Sequence, residues 1–189
     1  MKKELILILG GAGSGKSTFA QQLAQQKAER VLFVATAEAK DSEMAMRVRR
    51  HRRRRPGQWR TVEEPLELAR AIGEAASHQV VIVDCLTLWV SNLLQASEAH
   101  KPAEQEAAVL DAVRGLADAY EKGEATLIMV SNEVGMGLVP PYPLGRIYRD
   151  ILGRVNQLLA AKASRVYLMV AGLAIELRSL GAKSVLDRA

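Results

Sequence analysis

Cysteine and aromatic residues are scarce in this sequence, and it has no long apolar run. Cys85 is the only cysteine among 189 residues, so no disulfide can form within the chain. Aromatic residues make up 4% of the sequence, which disfavours a protein that stacks nucleic-acid bases on aromatic rings. No segment approaches the ~20 apolar residues that a membrane-spanning helix requires. Together these absences predict a cytoplasmic protein without disulfides or a membrane span.

The overall composition is that of an ordinary globular domain. Apolar residues make up 49% of the chain and charged residues 25%, which at this length is enough to bury one hydrophobic core. No repeat, low-complexity linker or domain boundary is visible. We therefore predict a single domain over residues 1–189.

The net charge of +5 originates from one short segment. Seven arginines lie within residues 47–55, and +5 less these seven charges leaves −2 for the rest of the chain. Nucleic-acid-binding proteins more often spread Lys and Arg over a face, whereas one arginine cluster on a nucleotide enzyme favours a triphosphate site. A solvated helix face or an incidental polyanion-binding patch is the alternative.

Apolar runs alternate with helical patterns along the chain. Strands are predicted at residues 5–9, 31–35, 80–84, 126–131 and 165–170, and helices near residues 17–28, 41–55, 65–77, 103–121 and 144–163. Such alternation is typical of a mostly parallel sheet with helices on both faces, a three-layer α/β fold. Glycines and prolines between Val134 and Pro143 predict a loop at the carboxyl edge of the sheet, where such sheets bind ligands.

The predicted helix over residues 144–163 has two distinct sides. Its apolar stripe consists of Leu144, Ile147, Ile151, Val155, Leu158 and Leu159. Its other side carries Arg146, Arg149, Asp150, Arg154, Asn156 and Gln157. The stripe predicts burial against the sheet, and the second side is more polar than solubility requires.

The first apolar run leads into a glycine-rich segment with Walker A spacing, G-x-x-x-x-G-K-[ST]. The segment reads Gly10-Gly11-Ala12-Gly13-Ser14-Gly15-Lys16-Ser17. Such a loop points backbone N–H groups at phosphate oxygens, while Lys16 faces the β- and γ-phosphates and Ser17 can bind Mg²⁺. The dinucleotide fingerprint G-x-G-x-x-G does not fit, because Lys16 stands at its third glycine. We therefore predict that a nucleoside triphosphate binds here.

Two further strands are predicted to bring polar groups to the same edge. Val80-Val81-Ile82-Val83-Asp84 has the form of a Walker B strand, whose carboxylate can orient Mg²⁺ or its waters beside Ser17. The next strand ends in Ser131-Asn132-Glu133. This tripeptide either positions a substrate or metal or only caps a turn.

His51 lies inside the arginine cluster. Imidazole titrates near neutrality and is a competent nucleophile toward phosphorus. The surrounding cations disfavour the imidazolium, so they would keep His51 nucleophilic while binding a triphosphate. On a helix, His51 shares a face with Arg47, Arg54 and Arg55. The alternative is a surface histidine in a basic helix.

Several segments together carry a resemblance to a known family. They are Gly10-Gly11-Ala12-x-Ser14-Gly15-Lys16-Ser17, Ala35-Thr36-Ala37, Glu43-Met44-Ala45-x-Arg47-x-x-x-His51-x-x-x-Arg55-Pro56-x-x-Trp59-x-Thr61, Asp84-Cys85-Leu86-Thr87 with Asn92-Leu93-Leu94, Ser131-Asn132-Glu133-Val134-Gly135-Met136-Gly137, and Arg149-Asp150-x-x-Gly153-Arg154-x-Asn156-Gln157. Over nearly the whole chain, these residues resemble the bifunctional adenosylcobinamide kinase/adenosylcobinamide-phosphate guanylyltransferase of cobalamin biosynthesis.

The resemblance implies a RecA-like P-loop NTPase fold and two reactions. Adenosylcobinamide first takes the γ-phosphoryl group of ATP or GTP. A histidine, His51 by motif position, then attacks the α-phosphorus of GTP, releases pyrophosphate and passes GMP to adenosylcobinamide phosphate, which yields adenosylcobinamide-GDP. The family is trimeric, so the resemblance also implies a homotrimer, in which the polar side of the helix over residues 144–163 would have a partner.

The resemblance further implies which residues form the site. His51 is the catalytic nucleophile that it implies, while the Walker motifs themselves predict Lys16 as the second catalytic residue and Ser17 and Asp84 as the residues that hold Mg²⁺. The nucleotide contacts that it implies are Gly10, Gly11, Ala12, Gly13, Ser14, Gly15, Lys16, Ser17, Ala35, Thr36, Ala37, Arg52, Arg53, Arg54, Arg55, Glu63 and Asp84.

Two other functions stay open at this point. A small-molecule P-loop kinase without guanylyl transfer would use Lys16, Ser17 and Asp84 but would not need His51. A nucleic-acid-stimulated ATPase would place the arginines on a phosphodiester backbone, with binding that weakens steeply with salt. The charge of the remaining chain and the scarcity of aromatic residues oppose this second alternative, so we expect no nucleic-acid partner.

Overall fold

A computed structural model describes residues 2–37, 46, 55–75 and 78–186 of the chain. Its strands are β1 (Leu5–Gly10), β2 (Val31–Ala35), β3 (Arg60–Glu63), β4 (Val80–Asp84), β5 (Thr126–Val130), β6 (Arg165–Val170) and β7 (Leu173–Glu176). Its α-helices are α1 (Lys16–Lys27), α2 (Leu68–Gly73), α3 (Leu86–Ala96), α4 (Pro102–Lys122) and α5 (Pro143–Lys162), and a 3-10 helix covers Arg178–Leu180. Within these ranges, no helix is long and apolar enough to cross a membrane.

The seven strands form one sheet in the order β3-β2-β4-β5-β1-β6-β7. Strands β1 to β6 are parallel, whereas β7 pairs antiparallel with β6. Parallel strands need crossover connections, and the crossover helices cover both faces of the sheet. This arrangement confirms the predicted RecA-like, mostly parallel α/β fold.

Each face of the sheet has its own hydrophobic core. Leu5 and Leu7 of β1 pack in the core that α2 to α5 cover, whereas Ile6 and Ile8 pack with Ala20 of α1 on the opposite face. Successive side chains of a strand point to opposite faces, so a strand that is buried on both faces has a continuous apolar sequence. This explains why apolar runs located the central strands.

The strands predicted from apolar runs occur within one residue of their expected bounds. Two edge strands were not predicted. β3 reads Arg-Thr-Val-Glu, with its two end residues exposed and its two central residues partly buried, and β7 is mostly exposed, so neither has the sequence of a buried strand. Their extended conformation depends on pairing with β2 and β6, which a local pattern does not encode.

Helices α1, α4 and α5 also match their predictions to within one residue. The helix predicted over residues 65–77 is shorter, because the Glu64 carboxylate accepts hydrogen bonds from the N–H groups of Leu66 and Glu67 and holds a turn before α2. Helix α3 was not predicted as a separate helix, because its apolar residues follow closely on the apolar run of β4. The loop expected between Val134 and Pro143 is confirmed, except that its last residue begins α5.

Most of the helix predicted over residues 41–55 lies outside the described residues. Met46 is helical, and Arg55 lies in a bend rather than in a helix. His51 and Arg52–Arg54 are not among the described residues, so the expected helical face that joins them stays a prediction.

Two residues of α5 differ from the predicted two-sided pattern. Leu144, expected on the buried stripe, is 59% exposed, because it lies in the first turn of α5, before Ile147, the first residue of the stripe that packs against the core. Asn156, expected on the polar outer side, is 5% exposed. Its side chain hydrogen-bonds to Ser131 and Asn132 at the end of β5, which compensates the amide for the loss of water.

Trp89 provides a test of the larger core. It is 1% exposed and its indole N–H donates a hydrogen bond of 2.8 Å to the Leu66 carbonyl. Trp89→Phe removes this donor and leaves a cavity, so we expect the free energy of unfolding to fall by about 2–4 kcal/mol. Chemical denaturation measures the free energy of unfolding. The control is Asp118→Ala, at an exposed position of α4, which should change this free energy by less than about 0.5 kcal/mol. Equal effects of both substitutions would contradict this role of Trp89.

Candidate active site

The carboxyl ends of the parallel strands surround one cleft with a volume of about 440 Å³. Loop residues 12–17 and Thr18 form one wall, and Ala35 and Ala37 lie beyond the end of β2. Asp84 and Cys85 end β4, and Asn132 follows β5. A register row runs from Ile8 through Val130 and Asp84 to Ala35, and it brings these segments together.

The glycine loop is packed against the hairpin between β6 and β7. Gly10 has a φ of 149°, and a Cβ atom there would lie 2.5 Å from the Met169 carbonyl oxygen, so no other residue fits. Gly15, with a φ of 96°, precedes the first turn of α1. The N–H of Gly172 in the hairpin donates a hydrogen bond of 3.1 Å to the Ser14 carbonyl. The loop is therefore shaped by tertiary contacts as well as by its glycines.

Lys16 begins α1 and is buried in the loop. It is 7% exposed, and its ammonium donates a hydrogen bond of 2.6 Å to the Gly11 carbonyl. Burial lowers the pKa of Lys16, and the nearby Cys85 and Asp84 oppose this shift. A phosphate bound at the loop would compensate the buried charge more fully than a single carbonyl, because it adds an opposite charge.

Ser17 and Asp84 meet at the base of the cleft. The Ser17 hydroxyl donates a hydrogen bond of 3.2 Å to Asp84 Oδ1. Both side chains present oxygen atoms, the ligand type that Mg²⁺ prefers, and Mg²⁺ typically takes only one or two protein ligands and completes its shell with water and phosphate. Within the described ranges no group of three or more His, Cys, Asp or Glu side chains could hold a metal ion. The Ser17 and Asp84 oxygens therefore fit a Mg²⁺ ion that is bound together with a nucleotide.

Thr36 is placed differently from Ala35 and Ala37. It is fully buried, and its hydroxyl accepts a hydrogen bond of 2.8 Å from the Cys85 N–H and donates one of 2.7 Å to the Cys85 carbonyl. Asn92 of α3 donates to the Thr36 carbonyl at 2.9 Å. Thr36 thus holds the backbone that follows Asp84, while its two neighbours line the cleft.

Arg55 is the described member of the arginine cluster at the cleft. Its guanidinium carbon lies 3.5 Å from the centroid of the Phe33 ring, and Nη1 donates to Thr61 Oγ1 at 3.4 Å. Stacking on an aromatic face restricts the orientation of a guanidinium without removing its positive charge. Glu63 pairs with Ala35 across β3 and β2 but is exposed and does not line the cleft.

Ser131-Asn132-Glu133, which follows β5, was predicted either to position a ligand or to cap a turn, and its residues differ in this respect. The Glu133 carboxylate accepts a hydrogen bond of 2.9 Å from the Gly135 N–H, which caps a turn. Asn132 lines the cleft, and its backbone is bonded to Thr87 and Asn156. The positioning contacts of Thr87, Asn92 and Asn156 were not predicted from the sequence. The polar residue types were the available signal, but their partners lie far away in the chain.

Comparison with known proteins relates this fold and cleft to one family. The sequence profile described as "CobU: Cobinamide kinase / cobinamide phosphate guanyltransferase" matches residues 6–177. The chain is 43% identical over 173 residues to the "Bifunctional adenosylcobalamin biosynthesis protein CobP" of Pseudomonas aeruginosa, which covers 91% of this chain and 96% of that protein. It is 40% identical over 181 residues to the Escherichia coli protein CobU of the same description, which covers 92% and 99%, respectively.

Solved structures of low sequence identity agree on the fold. A prototypical ATPase from the type III secretion system of pathogenic bacteria superposes with a TM-score of 0.56 at 12% identity, covering 97% of this chain and 59% of that chain. At such identity the likeness concerns the fold alone. By its sequence matches, this chain belongs to the cobinamide kinase / cobinamide phosphate guanyltransferase family.

Proposed function

We propose that this chain phosphorylates the terminal hydroxyl of adenosylcobinamide with ATP or GTP and then transfers GMP from GTP through His51 to adenosylcobinamide phosphate. Family membership supports both reactions over a plain kinase and over a nucleic-acid-stimulated ATPase. The structural observation that carries the proposal is the meeting of Lys16, Ser17 and Asp84 at one cleft. Conversion of adenosylcobinamide to its phosphate and then to adenosylcobinamide-GDP by the purified protein tests it.

The glycine loop and α1 are suited to the kinase step. The acceptor oxygen forms a bond to the γ-phosphorus while the bond to the bridging β–γ oxygen breaks, and the nucleoside diphosphate leaves with the electron pair. The amino end of α1 and the Lys16 ammonium stabilise the negative charge on the phosphates. Ser17 and Asp84 would hold Mg²⁺, which neutralises charge on the β- and γ-oxygens when bound.

Guanylyl transfer needs a nucleophile that direct phosphoryl transfer does not. In the proposed step an imidazole nitrogen of His51 bonds to the α-phosphorus of GTP, and pyrophosphate leaves with the electrons of the broken bond. A phosphate oxygen of the acceptor then bonds to the same phosphorus and releases the imidazole. Arg55, held on Phe33, supports this step with a fixed cation at the cleft, and Arg52–Arg54 would extend the positive charge.

A homotrimer is the assembly we propose with this function. Several polar residues of α5 bond within the chain: Arg146 to the Pro140 and Pro141 carbonyls and Arg154 to Glu106. The polar side of the helix is therefore explained in part without a subunit contact, and the proposal rests on the family resemblance. Light scattering of the purified protein measures the assembly.

Lys16→Ala should abolish both activities, because both reactions need the triphosphate in the same cradle. We expect each rate to fall more than about 100-fold while the fold survives. Lys122→Ala removes the same charge at an exposed position of α4 and should leave both rates unchanged. If either rate remained above about a tenth of wild type, the two reactions would use separate nucleotide sites.

Arg55→Gln should raise the GTP concentration needed for half-maximal guanylyl transfer by about tenfold, because a charge-assisted contact to phosphate is lost. Arg55→Lys keeps the charge but loses the planar stacking on Phe33, so we expect an intermediate value. Arg114→Gln, in the exposed Arg114–Asp111 pair, is the matched control. Steady-state kinetics at low and high salt measures the effect, and equal values for all four proteins would remove Arg55 from the site.

His51 should become covalently guanylylated during incubation with GTP and Mg²⁺. A phosphorus–nitrogen bond to imidazole is stable to alkali and labile to acid, so intact-mass analysis should show the mass of GMP after alkali and its loss after mild acid. His51→Ala should lose the adduct and guanylyl transfer but keep kinase activity, because direct phosphoryl transfer needs no enzyme nucleophile.

The other two histidines provide controls for this adduct. The chain has three histidines, and the two besides His51 are His78 and His100. The variants His78→Ala and His100→Ala should both still form the adduct, because each retains His51. An acid-labile adduct on the His51→Ala protein would assign the nucleophile elsewhere. A wild-type protein that never gains the mass of GMP would favour a kinase without guanylyl transfer.

A further inference from the structure

The end of β5 contributes to the cleft beside the glycine loop. This strand lies between β1 and β4, and its last residue, Val130, is in register with Ile8 and Asp84. Asn132 follows two residues later and lines the cleft that Lys16 and Ser17 also line. The chain thus places a side-chain amide at the cleft, after the strand that lies between β1, which leads into the glycine loop, and β4, which ends in Asp84.

The backbone of Asn132 is held on both sides. Its N–H donates a hydrogen bond of 2.8 Å to Thr87 Oγ1, and its carbonyl accepts one of 3.1 Å from Asn156 Nδ2. Asn156 Oδ1 accepts a bond of 2.7 Å from the hydroxyl of Ser131, which is fully buried. The Tyr148 hydroxyl donates to the Thr87 carbonyl at 3.1 Å. These contacts from α3 and α5 fix the backbone position of Asn132 and therefore the position of its Cβ atom.

The side-chain amide of Asn132 itself makes no hydrogen bond in the part of the chain that the structure describes. The Thr87 hydroxyl beside it already accepts from the Asn132 N–H, and Leu88 and Val130 on the same wall are apolar. A fixed backbone that presents an uncommitted amide to a cleft is the arrangement of a ligand-positioning residue. Charge is concentrated elsewhere, at Lys16 and Arg55, where the phosphates would bind.

We propose that Asn132 Oδ1 accepts the hydrogen of the acceptor's terminal hydroxyl and thereby orients that oxygen toward the γ-phosphorus in the kinase step. This inference rests on the proposed function and adds the residue that receives the acceptor. A neutral amide suits a neutral hydroxyl, since it adds no charge that would repel the phosphates. An amide is not a base, so the hydroxyl proton ends on an oxygen of the transferred phosphoryl group.

Asn132→Ala tests the proposal because it should impair the use of the acceptor without changing the binding of the nucleotide. The kcat/KM for adenosylcobinamide at saturating ATP should fall about 100-fold, the cost of a misoriented reacting group. The Kd for ATP, measured by equilibrium titration, should stay within about twofold of wild type. Formation of the GMP adduct should also keep its rate, because that step involves no acceptor.

Thr87 provides a matched pair of variants for the positioning contact. Thr87→Val removes the oxygen that accepts from the Asn132 N–H and should lower the same kcat/KM about tenfold, the effect of one hydrogen bond. Thr87→Ser keeps the oxygen and should restore most of the rate. Thermal denaturation of each variant shows whether it is folded, and the Kd for ATP again reports an intact nucleotide site.

Three results would overturn the proposal. Unchanged kinase kinetics in Asn132→Ala would show that the amide does not orient the acceptor. A parallel loss of ATP affinity and of adduct formation would make Asn132 a nucleotide contact instead. A wild-type protein that binds ATP but does not phosphorylate adenosylcobinamide would refute the proposed function and this inference with it. This result is seen in the wild-type protein alone, so it is distinguishable from the two results above, which appear only in the variant.

Discussion

The parallel order of the central strands determines which residues meet at the cleft, and the hydrogen bond between Ser17 and Asp84 depends on it. These residues are 67 positions apart in the chain, yet their side chains meet at 3.2 Å. They meet because β5 alone separates β1 from β4 and all three strands end at the same edge. Glycine loop, carboxylate and Asn132 are therefore neighbours, and any chemistry that links them follows from strand order.

Backbone positions around the cleft are held by side chains that do not themselves need to touch a ligand. Thr36 is fully buried and bonds both backbone groups of Cys85, next to Asp84. Asn156 is buried, and its side chain donates a hydrogen bond to the backbone carbonyl of Asn132. Burying a hydroxyl or amide is unfavourable unless it is hydrogen-bonded, and here the compensating bonds also fix the ends of β4 and β5. Stability and positioning thus share the same contacts.

Features that arise from a local sequence pattern could be predicted from the sequence. The Walker A segment and the strand that ends in Asp84 could be located because glycine spacing and continuous apolar runs have local physical causes. Edge strands β3 and β7 escaped prediction because their residues are accessible to solvent and their conformation depends on a neighbour. Leu144 and Asn156 were misplaced because helical periodicity predicts a face but not what the sheet or a loop places against it.

By itself, the sequence determined the family, the position of the Walker A loop, the central strands and a mostly parallel α/β fold, since each rests on spacing or on residue identity along a continuous segment. Only the tertiary structure decided that Thr36 is withdrawn from the cleft, that Arg55 stacks on Phe33, and that Asn132 lines the same cleft as Lys16 and Asp84. The physical reason is that these roles arise from hydrogen bonds and packing between segments far apart in the chain. Such contacts exist only once the strands have assembled in their order.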